Sequence, residues 1–434
     1  MSQFQVRRFP QNLAIWLTVK NYVGILDVHL VCYLICILGL ATLSAPCSRC
    51  QNVKATKQLP FPNPPAAQES KGGYWRDDHT FQPTLIITSV LEERSLTVTP
   101  CLYAADGTEY DLPAVSLPPS GVAYVDVHSA LESAPASTRE HFGHYGSVGV
   151  KYVWNWSGAI TTLIQNRDAR RSLNFNFDLR SVGGTHHATA SPTTMQGLWW
   201  KEDDGITGFL GLVNTGRHPL NVAVRILSES GEPMDEYPLL IFPNETKRLD
   251  ILQQTGGSSG GIEIFYDGVE NDLVVAGGLE NAAEGYSARI PFAVADKGAP
   301  ATTISVSSVG IMFGKQDPSF RFPEDTRFGV YLDMRNTTDR SVAVTPTIYY
   351  SAGQQPKKSA LAPLVLAPRQ SRHWTPQQFA SELSIDGQPG FVNLIFSYDG
   401  SLLTSYLPPV LSIKRKHTYP RVTLVRLERV RPRS

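Results

Sequence analysis

The sequence predicts an all-β chain of three tandem β-sandwich units, after an N-terminal signal or anchor segment and a Pro-rich linker. Three observations predict it: apolar and polar residues alternate in short runs, these runs recur at a spacing of 122 to 125 residues, and Gly, Pro, Asn or Asp separates them. The alternation is clearest in "LTVTPCLY", "NVAVRIL" and "GIEIFY", which are rich in Val, Ile, Thr and Tyr. Such residues suit a pleated surface with one face buried. No segment keeps a helical period for long; the best helical turn is "HSALESA" near Leu131, with a counterpart at "TPQQFASEL".

The recurrence extends beyond the strands, which any two β-proteins would share. "NTGRHPLNVAVRIL" from Asn214 matches "NTTDRSVAVTPTIY" from Asn336 at an offset of 122, and "VLEERSLTVTPCLY" from Val90 at 124. Val90 stands where the other two copies have Asn. Gly107, Gly231 and Gly353 follow in the turn that ends each strand. Upstream, "WRDD" from Trp75 matches "WKED" from Trp200 and "FPED" from Phe322; downstream, "LPPSGVAYVDV", "FPNETKRLDI" and "APRQSRHW" correspond. An aromatic-x-Gly turn recurs at Trp156, Tyr266 and Tyr398. Pro100 and Pro346 lie inside an alternating stretch, so that strand is expected at an edge or with a bulge, because proline donates nothing to a ladder.

These matches divide the chain into a signal peptide or anchor (1–46), a Pro-rich linker (47–73), unit 1 (74–181), a linker (182–196), unit 2 (197–296), a linker (297–317), unit 3 (318–411, its last strand missing or replaced) and a basic tail (412–434). The N-terminal reading rests on Arg7, Arg8 and Lys20, then the apolar run "LVCYLICILGLATL", then a polar exit containing proline. A run of fourteen is short for a membrane span. Export to an extracellular, periplasmic or cell-surface location follows, with the segment either cleaved or kept as an anchor.

Composition excludes other classes. With 39 basic and 39 acidic residues the formal net charge is zero, so nothing global points to nucleic acid or an anionic membrane. The tail carries eight Lys and Arg against Glu428, leaving the remainder near minus seven. Five cysteines include Cys32 and Cys36 inside the apolar run; "CSRC" at Cys47 and Cys50 lacks the helix start that would stabilise a thiolate, and the pairing state of these two and Cys101 is open.

"LGLVNTGRHPLNVAVRIL" with its turn at Gly231 resembles the opening strands of bacterial extracellular immunoglobulin-like domains, in the style of the cell-adhesion-related domain found in bacteria. The resemblance covers about 20 residues per unit. It implies immunoglobulin-like β-sandwich domains used as spacer, anchor or adhesion module, with no catalytic residues to carry over.

Candidate chemistry is sparse. Gly256 to Gly260 satisfies G-x-S-x-G, but a strand follows the Ser where a nucleophile elbow needs a helix. Adjacent His186 and His187 point to opposite sides of an extended chain. The acidic pairs at each unit's entrance, Asp77 with Asp78, Glu202 with Asp203, and Glu324 with Asp325, are calcium candidates, since hard cations favour oxygen-rich loops; a solvated strand entrance is the alternative. The neighbouring aromatics Tyr74, Trp75, Trp199, Trp200, Phe320 and Phe322 are candidate ligand surfaces for stacking sugars, or else lids on each core. The expectation is a non-enzymatic exported structural, adhesion or assembly protein with no cofactor. Its partner would be a protein or glycan at the cell surface, not nucleic acid, and it would meet a membrane only through an uncleaved N-terminal segment. A carbohydrate-binding module array is the alternative.

Overall fold

Alternating runs become strands because every second side chain can be buried while the backbone amides pair across the sheet. The structure, a computed structural model, describes residues 64–78, 80–182, 192–201, 205–252, 259–283, 285–294, 308–313, 331–352, 355–360, 362–374, 390–398 and 402–407. It is all-β, with six antiparallel sheets among the described residues. None of the described helices is long and apolar enough to cross a membrane.

The sheets come in three consecutive pairs. In the first, β1 (Ala66–Arg76), β2 (Gln82–Ser89), β3 (Leu96–Ala104), β4 (Glu109–Asp111), β5 (Val115–Leu117), β6 (Val122–Asp126), β7 (Tyr145–Trp154), β8 (Ile160–Asp168), β9 (Leu173–Asp178) and β10 (Arg180–Val182) form sheets of order β10-β1-β7-β3-β4, with β5 also on β3, and β6-β2-β8-β9. Two short helices, α1 (Val127–Glu132) and α2 (Ala136–Arg139), separate β6 from β7. The expected helical turn at Leu131 is α1, capped where the Asp126 carboxylate accepts from the Ser129 amide at 3.0 Å. Its counterpart "TPQQFASEL" lies outside the described residues.

The second pair has the same order. It comprises β11 (Thr193–Trp200), β12 (Thr207–Asn214), β13 (Leu220–Leu227), β14 (Pro233–Ile241), β15 (Thr246–Ile251), β16 (Ser259–Tyr266), β17 (Leu273–Asn281), β18 (Tyr286–Ile290) and β19 (Phe292–Val294), arranged β14-β13-β16-β11-β19 and β15-β12-β17-β18. The third comprises β20 (Ser308–Phe313), β21 (Tyr331–Asn336), β22 (Val342–Ala352), β23 (Gln355–Ala360), β24 (Leu364–Leu366), β25 (Ser371–Trp374), β26 (Gly390–Tyr398) and β27 (Leu402–Leu407). Its sheets run β20-β26-β22-β23, with β24 on β22, and β25-β21-β27. Three expected linkers are partly strand: β1 occupies the end of 47–73, β10 and β11 enter 182–196, and β20 falls within 297–317. Backbone entering a sheet edge finds partners there, which local Pro and Gly content did not forecast.

The prolines act on their neighbours. β3 lies inside its sheet rather than at an edge, but the strand beside it is broken: β5 opposes Leu96 to Val98, β4 opposes Cys101 to Tyr103, and Pro100 faces the gap. Pro346 likewise falls between the part of β22 opposed by β24 and the part opposed by β23. At the corresponding position the second pair has Val224, whose amide is intact, and β14 runs unbroken past it.

The ladders also correct three matches. Trp75 opposes Gly146 and Trp199 opposes Gly260, so Trp199, not Trp200, is the counterpart of Trp75. Val98, Val222 and Val344 oppose Tyr152, Tyr266 and Tyr398, so Tyr152 takes the place expected for Trp156. The place of Asn214 and Asn336 is filled in the first pair by Ser89, not Val90. Each accepts through its side-chain oxygen from the amide two residues on: Leu91 at 3.3 Å, Gly216 at 2.8 Å and Thr338 at 2.9 Å. Serine makes the same local turn as asparagine with a shorter side chain.

Between each of the first two pairs lies an apolar core. One contains Leu85, Ile87, Val98, Leu102, Val148 and Ile164 from both facing sheets, the other Leu210, Leu212, Val222, Val224, Ile262 and Ile264. Burial of each such side chain contributes about 1.5–3 kcal/mol. Asn214 is wholly buried, and its amide donates to the carbonyls of His218 and Ile241, both at 2.8 Å. Asn214→Ala should therefore destabilise by about 2–4 kcal/mol in urea unfolding, against under about 1 kcal/mol for Ser89→Ala. Equal losses would contradict this account of the turn.

Candidate functional site

The entrance residues are largely internal. Trp75, Trp199 and Trp200 are wholly buried, and Tyr74 is 1% exposed. The Trp75 indole donates to Ser147 O at 3.1 Å and that of Trp199 to Leu227 O at 3.0 Å. The sugar-platform reading of these four is therefore corrected: a ring enclosed on both faces offers none to a ligand. Phe320, Phe322, Glu202, Asp203, Glu324 and Asp325 lie outside the described residues, as do Ser258, His186 and His187.

Asp77 and Asp78 are described, and they diverge. The Asp77 carboxylate meets His128 Nδ1 at 2.8 Å, whereas Asp78 accepts from Thr80 Oγ1 at 2.8 Å and pairs with Arg76. Burial pushes the Asp78 carboxyl up, but the Thr80 hydrogen bond and the Arg76 charge outweigh it and hold it below the usual range. A calcium ion needs six or more converging oxygens, and these two carboxylates are directed to separate partners. A different trio, Cys101, Glu109 and Asp111, brings ligand atoms within 4.8 Å of one another. Lys151 sits there instead, paired with Glu109 and 2.8 Å from Asp111. Burial pushes the Cys101 thiol up to about 12, so the thiolate a metal would need is scarce.

The groups that the fold does bring together lie where one sheet pair meets the next. At the first joint the Thr246 amide of edge strand β15 donates to Ala105 O at 2.9 Å; at the second, the Ser371 amide of β25 donates to Glu229 O at 2.8 Å. Beside each bond a glycine at positive φ, Gly107 (88°) or Gly231 (89°), faces a non-glycine at positive φ, Asn244 (64°) or Arg369 (59°). A Cβ on Gly107 would lie 2.8 Å from Pro243 O, and one on Gly231 2.9 Å from Arg369 Cβ. Glycine is thus required twice over, by conformation and by close approach.

Around this shared backbone contact the two joints use different chemistry. The first is aromatic: Tyr74 packs on Phe209 with centroids 5.7 Å apart, and Phe175 meets Phe209 edge-on at 5.1 Å. Gly211 makes room, since a Cβ there would lie 2.4 Å from the Tyr74 ring. Burial pushes the Tyr74 hydroxyl up to about 12, so it stays neutral and accepts from Arg248 Nη1 at 3.1 Å. Arg76 completes the rim with two 3.1 Å bonds to the Glu280 carboxylate.

The second joint is ionic. Arg335 on β21, wholly buried, reaches Glu263 Oε1 on β16 at 3.3 Å and donates to Arg369 O at 2.8 Å. Loss of hydration pushes the Arg335 guanidinium down to about 10 despite the Glu263 charge. Such a pair contributes little net stability, yet removing one member strands the other and costs about 3–5 kcal/mol. Two residues earlier on the same strand, Asp333 meets His373 Nδ1 of β25 at 2.7 Å. Asp333 and Ser371 have no exposure and the His373 side chain is 6% exposed, so this acid–base pair is closed to solvent.

These charges were missed because apolar alternation was the guide. The signal was present: "YLDMRN" places Asp333 and Arg335 where "FLGLVN" has Gly211 and Val213, and Glu263 interrupts "GIEIFY". No protein-family model matches this chain, and a search of curated proteins finds no match, so the site is read from its own geometry.

Burial pushes the Asp333 carboxyl from 3.8 up to about 6, partly offset by His373. A raised carboxyl means that the folded state binds its proton more tightly than the unfolded chain does. Its contribution to stability is fullest below the unfolded value and falls by up to ~3 kcal/mol as pH rises from about 4 to about 6. The stability difference between the protein and Asp333→Asn, measured by denaturant unfolding, should decline across that interval; a flat difference would contradict it.

Proposed function

We propose that the chain is an exported, non-catalytic structural protein of three tandem immunoglobulin-like β-sandwich units, acting as a cell-surface or envelope scaffold in adhesion or assembly. The observation that carries this reading is the joint made twice with the same backbone contact and the same positive-φ pairing. A linker would let units move independently, whereas side chains buried across both joints hold neighbours at a fixed angle. A protein that must transmit position or load has use for such joints. Of the described acid–base pairs, His373 with Asp333 is enclosed at the second joint, whereas the His128–Asp77 ion pair lies nearer the surface of the first sheet pair. A carbohydrate array has lost its described aromatic platforms, so the adhesion reading takes a protein partner first.

The export part rests on the basic flank, apolar run and Pro-containing exit before residue 47. Fractionation of native cells with protease added outside tests the proposal. The expected result is recovery in the envelope or medium and cleavage by added protease in intact cells. Exclusive recovery with cytoplasmic markers, protected from protease until lysis, would overturn it.

A further inference from the structure

The joint has two halves, and the first sheet pair carries a receiving half that nothing described fills. In the second and third pairs this half is a turn residue at positive φ followed, two residues on, by an edge amide: Asn244 then Thr246, Arg369 then Ser371. The first pair repeats it with Ser120 (φ 50°) and Val122. The turn is held alike, since Ser120 N donates to Leu91 O at 2.7 Å as Arg369 N donates to Thr338 O at 3.2 Å. Val122 opposes Thr88 as Thr246 opposes Val213 and Ser371 opposes Arg335, so its N–H points outward from the edge in the same way. Among the described residues no carbonyl outside its own sheet accepts it.

Surface exposure agrees. Two residues beyond this amide stand Tyr124, Arg248 and His373. The Arg248 and His373 side chains are 20% and 6% exposed under their joints, but Tyr124 is 53% exposed. Partly exposed Ile86, Thr88, Val122 and Leu163 surround it on the outer face of β6-β2-β8.

The inserting half is a hairpin. β3–β4 supplies Ala105 and β13–β14 supplies Glu229, and both are used within the chain. The third hairpin, β22–β23, extends further: Tyr349 opposes Lys358 and Ala352 opposes Gln355, whereas Tyr103 opposes Glu109 and Leu227 opposes Pro233. No later sheet pair is described to receive it.

We propose that the β6 edge of the first sheet pair receives the β22–β23 hairpin of a second copy of this chain, so that copies join head to tail. The contact would be heterologous, one patch meeting a different one, and would therefore build open chains unless the rotation between copies closes a ring. This deepens the assembly reading above. It is tested on purified protein, so its failure is distinct from a failure of export.

The test uses the full chain with a photo-crosslinking phenylalanine analogue at position 124, in an equal mixture of ordinary and isotope-labelled protein. The expected product is a mixed-isotope crosslink from residue 124 to the β22–β23 hairpin, with sedimentation showing species larger than two chains or a discrete ring. Val122→Pro, which removes the amide, should abolish the larger species. Tyr124→Glu, which leaves the backbone intact, should do the same without changing the thermal melt. Crosslinks confined to one chain, including any to its own residues 1–63, would overturn the proposal, as would a single-chain mass at every concentration or association that both substitutions leave unchanged.

Discussion

One backbone hydrogen bond, from an edge-strand amide to a carbonyl in a hairpin turn, is common to both described joints between sheet pairs, and the other contacts of each joint are arranged around it. It is made at Thr246 and Ala105, and again at Ser371 and Glu229. An edge strand is a hazard when its amides are left open, because any extended chain can pair with them. Here the edge is met by a turn, which accepts one bond and then bends away. The consequence is a contact without an added strand: β15 and β25 remain edges of their sheets.

The bond depends on geometry that only a few residues tolerate. Gly107 and Gly231 sit at positive φ with carbonyl or side-chain atoms at the distance a Cβ would need. The turn that receives them is built on Asn214 and Asn336, whose side chains close it against the buried ends of the neighbouring strands. Given this frame, the side chains around it are free to differ. The first joint merges Phe209 into the core of the preceding pair, while the second buries an Arg335 to Glu263 pair. Aromatic packing adds area and affinity. A buried ion pair adds little net stability, but removing either member leaves the other charge buried and unpaired.

Much of this was legible. Alternation located the strands; the recurrent Gly107 and Gly231 marked turns that their positive φ explains, whereas Asn214 and Asn336 close turns through their side chains. Errors came where one position is filled by a residue of different type. Ser89 does the work of asparagine, so matching by identity slid the first copy by one place onto Val90. Tyr152 was overlooked because its strand runs on to Trp154, so that the aromatic-x-Gly pattern falls beyond it at Trp156. The entrance aromatics were visible as a cluster, but a sequence does not say which way a tryptophan faces, and Trp75 and Trp199 face inward. The buried charges were hidden for a related reason: a polar residue on an outward strand position reads as solvated until another sheet covers it. Glu263, Asp333 and Arg335 are outward on their own sheets and internal only at the joint.

The central claim is that the joints are fixed parts of the native fold. Native-state hydrogen exchange at the Thr246 and Ser371 amides tests it most directly, because neither bond belongs to a ladder within its own sheet. The account predicts protection comparable to the Asn214 and Asn336 amides, which pair within the fold at 3.1 and 2.9 Å. Exchange at the rate of open edge amides, with Asn214 and Asn336 still protected, would contradict it.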